Sequence, residues 1–135
     1  MKSYKKIYTY YLDLLLKNKR VFCEYDDINK KYLLCDSYII SIVSENYLNN
    51  DCMNNTKLEH FFALPIEEYL EASKIVLVGS DKTVGLKHGD IEVLIDKKYY
   101  DLYKNCTFKI IGDIRPVLVY DNEKLIAFIL PIKKY

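Results

Sequence analysis

The 135-residue chain has no tryptophan, two arginines, two histidines, three prolines and four glycines. Each scarcity excludes something. Seven Pro and Gly are too few for a collagen-like or low-complexity chain, and a hydrophobic share of 50% is too high for intrinsic disorder. A formal charge of +1 excludes a polycation that coats nucleic acid by bulk attraction, so any DNA contact must come from one face. Apolar runs such as Ile75-Val76-Leu77-Val78 and Ala127-Phe128-Ile129-Leu130 are strand-sized, far short of the ~20 residues of a spanning helix. The first twenty residues are broken by Asp13 and followed by no small-residue cleavage site, so they read as neither signal peptide nor membrane anchor. The expected location is cytoplasmic, with no membrane partner.

Motifs that carry chemistry are equally scarce. There is no G-x-S-x-G, Walker A, H-E-x-x-H or dinucleotide fingerprint. His60 and His88 each stand alone in sequence. Glu67 and Glu68 are adjacent, so on a helix they diverge by about 100° and cannot share a proton. No convergent acid, base or nucleophile assembles, and the expectation is a protein that is not an enzyme and holds no cofactor or metal. Cys23, Cys35, Cys52 and Cys106 are irregularly spaced, with no C-x-x-C pair and no histidine in ligand register. Cys23, Cys35 and Cys106 lie in strand-like runs and read as small buried hydrophobes. Cys52 lies in a polar loop with nothing nearby to activate it.

What is abundant is tyrosine, fourteen residues, and lysine, eighteen. Tyrosine rings can stack on bases. Tyr, Lys, Ile and Asn rising together while Arg falls is also what an AT-rich genome produces, and tyrosine then works at the rim of the core. Charge is segregated. Residues 1–20 carry six cations and one acid, residues 21–101 are net acidic, and residues 102–135 carry six cations and three acids.

Periodicity predicts an amphipathic helix from Tyr4 to about Asn18, capped by Ser3, with Tyr4, Ile7, Tyr8, Tyr11, Leu14 and Leu15 on one stripe. Strands are expected over 21–25, 32–35 and 38–43, the last two separated by the turn pair Asp36-Ser37. A polar loop from Ser44 to Lys57 follows, the best candidate for a flexible or partner-ordered segment. Residues 58–64 are compatible with a short helix or an extended connection. Pro65 should open a short helix through Ser73. Strands are then expected over 74–79, 83–88 and 91–95, followed by a helix capped by Asp96 and running from Lys97 to about Asn105. Strands over 106–111, 117–120 and 125–132 complete a single domain spanning 1–135. The class is α+β, a mostly antiparallel curved sheet of about eight strands with two amphipathic helices on one face.

Two segments carry a resemblance. Leu33-Leu34-Cys35-Asp36-Ser37-Tyr38-Ile39-Ile40-Ser41-Ile42 resembles the strand–turn–strand of bacterial DNA polymerase sliding-clamp domains, with Ser37 and Tyr38 where Gly and His are usual. Arg115-Pro116-Val117-Leu118-Val119-Tyr120 through Ala127-Phe128-Ile129-Leu130-Pro131-Ile132 resembles the end of the clamp's last domain, a Pro-led strand hairpinning into a strand that ends in an apolar-Pro-apolar step. The resemblance covers one domain, where bacterial clamps carry three. It implies that Lys6 and Lys17 of the first helix and Lys97 and Lys104 of the second face DNA phosphates. Lys19 and Arg20 join them as DNA-binding candidates, while Asp13 and Asp101 on the same faces would blunt the field.

Two functions follow as expectations. One is a clamp-like binding module of phage or mobile-element origin, acting on DNA or a DNA-processing complex, with a homo-oligomer as one possible form. The other is a small phage-encoded inhibitor that binds a host defence or nucleic-acid-processing protein, with Tyr47, Tyr100 and Tyr103 as interaction candidates.

Overall fold

The helix α1 (Lys5–Leu16) follows from its apolar stripe: Ile7, Tyr8 and Tyr11 are buried, Leu14 and Leu15 half-buried, and Lys5, Lys6, Thr9 and Asp13 exposed. It is described in a computed structural model that covers residues 5–27, 29–44, 64–79, 82–112 and 114–132. Ser3, Tyr4, Tyr47, Cys52, His60 and the loop beyond Ser44 lie outside the described residues. The helix stops at an asparagine in the left-handed region, Asn18 at φ 59°. The Lys19 N–H donates to Leu14 O at 2.9 Å and the Asn18 N–H to Leu15 O at 3.0 Å, the paired bonds of a Schellman cap.

The chain groups into two compact units, Met1–Leu64 and Pro65–Tyr135. In the first, β1 (Phe22–Asp26), β2 (Lys31–Cys35) and β3 (Ile39–Val43) form an antiparallel meander. Tyr25 and Tyr32 face each other across β1 and β2 with ring centroids 4.9 Å apart, a cross-strand pair of the kind that favours a register. All five residues of β3 are buried, as a continuous apolar strand requires.

The only hydroxyl within β3 sits there too. Ser41 is fully buried, and its Oγ lies 3.0 Å from the Tyr11 hydroxyl, which donates to Leu34 O at 3.0 Å. The single hydrogen of Tyr11 is committed to Leu34, so Ser41 donates to Tyr11 and the polar atoms satisfy one another. At the β2–β3 turn the Asp36 carboxylate accepts from the Tyr38 and Ile39 N–H groups at 2.8 and 3.1 Å and from the Tyr10 hydroxyl. This Asx turn drives Ser37 to φ 115°, where a Cβ is unwelcome. Ser37→Gly is accordingly expected to raise stability by about 0.5–1 kcal/mol. Urea denaturation followed by circular dichroism checks it, and an unchanged or lower midpoint counts against strain at this turn.

The second unit opens with a 3₁₀ turn (Ile66–Glu68), then β4 (Leu70–Glu71) and β5 (Lys74–Val78). The expected helix through Ser73 is thus corrected: Leu70 pairs with Ile110 and Glu71 with Lys109 on a later strand, and this pairing outweighs the local helical preference. β6 (Thr83–His88) and β7 (Ile91–Asp96) form a hairpin through Gly89 at φ 56° and Asp90. The helix α2 (Lys97–Leu102) follows directly, its N-cap Asp96 accepting from the Lys98 N–H at 2.9 Å. It ends earlier than the predicted Asn105: Tyr103 already leaves helical geometry at φ −118°, and Asn105 then turns to φ 75°. Lys104 therefore stands in a turn rather than on the helix.

The remaining strands are β8 (Thr107–Ile110), β9 (Val117–Asp121) and β10 (Lys124–Ile129). β9 and β10 are joined at Asn122-Glu123, and the register slips between Leu125 and Ala127. This bulge lets Ile126, Ala127, Phe128 and Ile129 all be buried. In this unit β10-β9-β8-β4 form one run and β5-β6-β7 another. The Ala72 N–H still donates to Phe108 O of β8, whereas the next, Ser73, donates to Lys87 O of β6, both at 2.8 Å. Past β10, the Ile132 N–H donates to Leu94 O of β7 at 2.7 Å. Continuations of β4 and β10 thus stitch the two runs together.

The class is α+β; among the described residues all pairing is antiparallel and there are ten strands where about eight were expected, the short β4 among them. Among the described residues no helix is long and apolar enough to cross a membrane.

Candidate functional site

Tyrosine is mainly a core residue here. Six of the eleven described tyrosines (8, 11, 69, 99, 103 and 120) are buried. Tyr103, expected as an exposed anchor, is corrected on this ground: at 2% exposure it belongs to the interior. Burial also pushes the phenols of Tyr69 and Tyr120 above their ordinary range. The Tyr69 hydroxyl donates to Pro116 O at 2.8 Å, and the Lys109 ammonium lies 4.5 Å from the Tyr120 ring centre.

Cys23, Cys35 and Cys106 are free thiols. Burial raises the pKa of Cys35 and Cys106, which keeps them protonated and poorly nucleophilic. The Nδ1–H of His88 donates to the Glu71 carbonyl oxygen at 2.8 Å, so its role is to tie β6 to β4. Among the described residues no group of three or more His, Cys, Asp or Glu could hold a metal ion.

The candidate cations are divided between the two units. Lys6 is exposed on α1, and Lys17, Lys19 and Arg20 are exposed beyond its end. Lys17 is paired with Asp13 at 2.9 Å and Lys97 with Asp101 at 2.8 Å, both at i,i+4 spacing. Such exposed pairs add little stability but cancel the charge that a phosphate would meet.

Two large apolar side chains are exposed on the single short strand β5. Its sequence KIVLV reads as a strand buried on both faces, yet Ile75 is 42% and Leu77 60% exposed. The order β5-β6-β7 leaves β5 at an edge. The direction of its amide groups follows from the hairpin. The Lys97 N–H donates to Lys82 O at 2.8 Å, and bonded and non-bonded pairs alternate along an antiparallel ladder. Val84, Leu86 and His88 therefore turn their amides to β7, and Thr83, Gly85 and Lys87 turn theirs to β5. Opposite the latter three stand Val78, Val76 and Lys74. Ile75 and Leu77 thus point their N–H and C=O groups away from β6, to the side where no described strand lies.

Beside this edge is a groove of about 280 Å³. Ile75, Leu77 and Val84 line it from the sheet; Lys97, Tyr100, Asp101 and Lys104 line it from α2 and the turn after it. Tyr100 is braced there by stacking on Phe108, with ring centroids 5.3 Å apart and planes at 30°. The structure therefore brings Lys97 and Lys104, expected together as DNA-facing cations, to one groove with Tyr100, which was expected as a protein-interaction anchor. Ile75 and Leu77 were missed, because a continuous apolar run reads the same for a central and an edge strand.

Comparison of the chain with models of known protein families, with curated proteins and with solved structures returns no match to any of them.

Proposed function

We propose that the chain is a non-enzymatic, cytoplasmic binding module that takes up an extended segment of a protein partner along β5. The observation that carries this reading is the edge itself: outward backbone donors and acceptors on Ile75 and Leu77, with their apolar side chains exposed beside a groove. Strand addition needs both, main-chain bonds for affinity and alternate side-chain contacts for selectivity. Exposed edges of this kind are normally blunted, since they invite pairing. The reading in which DNA is the partner has less support, because Lys17 and Lys97 are held in ion pairs.

The test is selection from a random peptide library against the intact protein, repeated with Leu77→Lys. Leu77 is exposed, so stability should move by less than about 0.5 kcal/mol. Recovered peptides should be extended, with alternating apolar residues, and should lose at least about tenfold in affinity for the variant, equivalent to ~1.4 kcal/mol. Binders that ignore Leu77→Lys, or retention of duplex DNA at low salt in their place, would overturn the proposal.

A further inference from the structure

We infer that the segment taken up along β5 belongs to a separate protein and carries acidic residues flanking an alternating apolar core. This rests on the reading of β5 as a docking edge and adds the chemistry of the occupant. Ile75 and Leu77 share a face with Val84 and Leu86, opposite which they stand. An added strand must therefore present apolar side chains to that face at alternate positions.

The charges around the edge are one-sided. Lys74 heads β5, and its side chain alternates to the other face from Ile75; Lys104 is exposed at the groove. The groove's acid, Asp101, is already matched by Lys97 at 2.8 Å. Lys87, opposite Lys74, is likewise matched by Glu92 at 3.3 Å. Among the described residues Lys74 and Lys104 are left as surplus positive charge, one on each face of the strand edge. Acidic side chains flanking the incoming core would answer both.

A second copy of this chain fits less well. Antiparallel pairing about Val76 would set Ile75 against Leu77, an acceptable apolar match. It would also bring together two rims that each carry Lys74 and Lys104 in surplus. Lysine on an edge strand is a common means of preventing such self-pairing.

The experiment is calorimetric titration of the intact protein with two synthetic peptides sharing one alternating valine–threonine core, one flanked by glutamates and the other by lysines. The glutamate peptide should bind on the order of tenfold tighter, with the difference shrinking as salt screens it. Lys74→Glu combined with Lys104→Glu should reverse the order, and sedimentation should find a monomer. Equal binding of both peptides sinks the acidic flank while leaving β5 as a docking edge. Failure of both peptides, when library-selected peptides still bind in a Leu77-dependent way, also sinks it. Failure of every peptide removes the docking reading as well. A concentration-dependent dimer abolished by Leu77→Lys would replace the separate protein by a second copy.

Discussion

Tyr11→Ala is expected to cost about 3–5 kcal/mol, the largest loss of any single change considered for this protein. The ring is fully buried in the first unit and meets Tyr10 edge-on at 5.2 Å. Its removal leaves a cavity, and Ser41 and the Leu34 carbonyl lose the hydroxyl that bonds them. Tyr11→Phe separates the two contributions. It keeps the packing and deletes the oxygen, so it should cost about 0.5–1.5 kcal/mol for the hydrogen bonds lost. Urea denaturation gives both values, and amide exchange at Leu34 and Ser41 should report the weakening locally. A phenylalanine variant within half a kcal/mol of the parent would mean that the hydroxyl contributes nothing.

The second large effect is at Gly85, where fold and site meet. A Cβ there would stand 3.1 Å from Val78 Cγ2, 3.3 Å from Val76 Cγ2 and 3.2 Å from Glu92 Oε2. Gly85→Ala asks these neighbours to give by a few tenths of an ångström, while relieving the entropic cost of glycine in a strand, worth roughly 0.5–1 kcal/mol. Its net effect should be small. Gly85→Val adds two methyl groups where no room exists and should destabilise by about 1–3 kcal/mol. β5 is the yielding partner, since only β6 is paired with it among the described residues. The valine variant should therefore lose peptide binding together with stability, whereas Leu77→Lys loses binding alone. If Gly85→Val keeps full stability and full binding, the close approach of β5 to β6 has no role in shaping the edge.

Local chemistry was legible where neighbours in sequence are also neighbours in space. Asp96 as a cap, Gly89-Asp90 as a hairpin turn, Asp36-Ser37 as a break between strands and the Ile7–Tyr8–Tyr11 stripe could all be read directly. The segment after Pro65 could not. Glu67 and Glu68 suit a helical first turn, and nothing local reveals that Leu70 and Glu71 will find Ile110 and Lys109 some forty residues on. Tyr103 is a similar case. Its apolar ring and polar tip suit a surface anchor and a core position equally, and only the packing around it decides.

The groove shows the same division. Lys97 and Lys104 were candidates through the clamp resemblance, and Tyr100 as an aromatic anchor. Their partners across the groove were not, because Ile75-Val76-Leu77-Val78 has the pattern of a strand covered on both faces. Sequence by itself determined the α+β class, most of the strands, the Asp96 cap of the second helix and the absence of bulk cationic character. Tertiary structure decided that β5 lies at an edge, that its odd-numbered residues turn their amides outward, and that Lys97 is matched by Asp101 while Lys104 is not. The reason is physical: periodicity and turn chemistry act over a few residues, whereas strand order and the pairing of charges are set by contacts between distant parts of the chain.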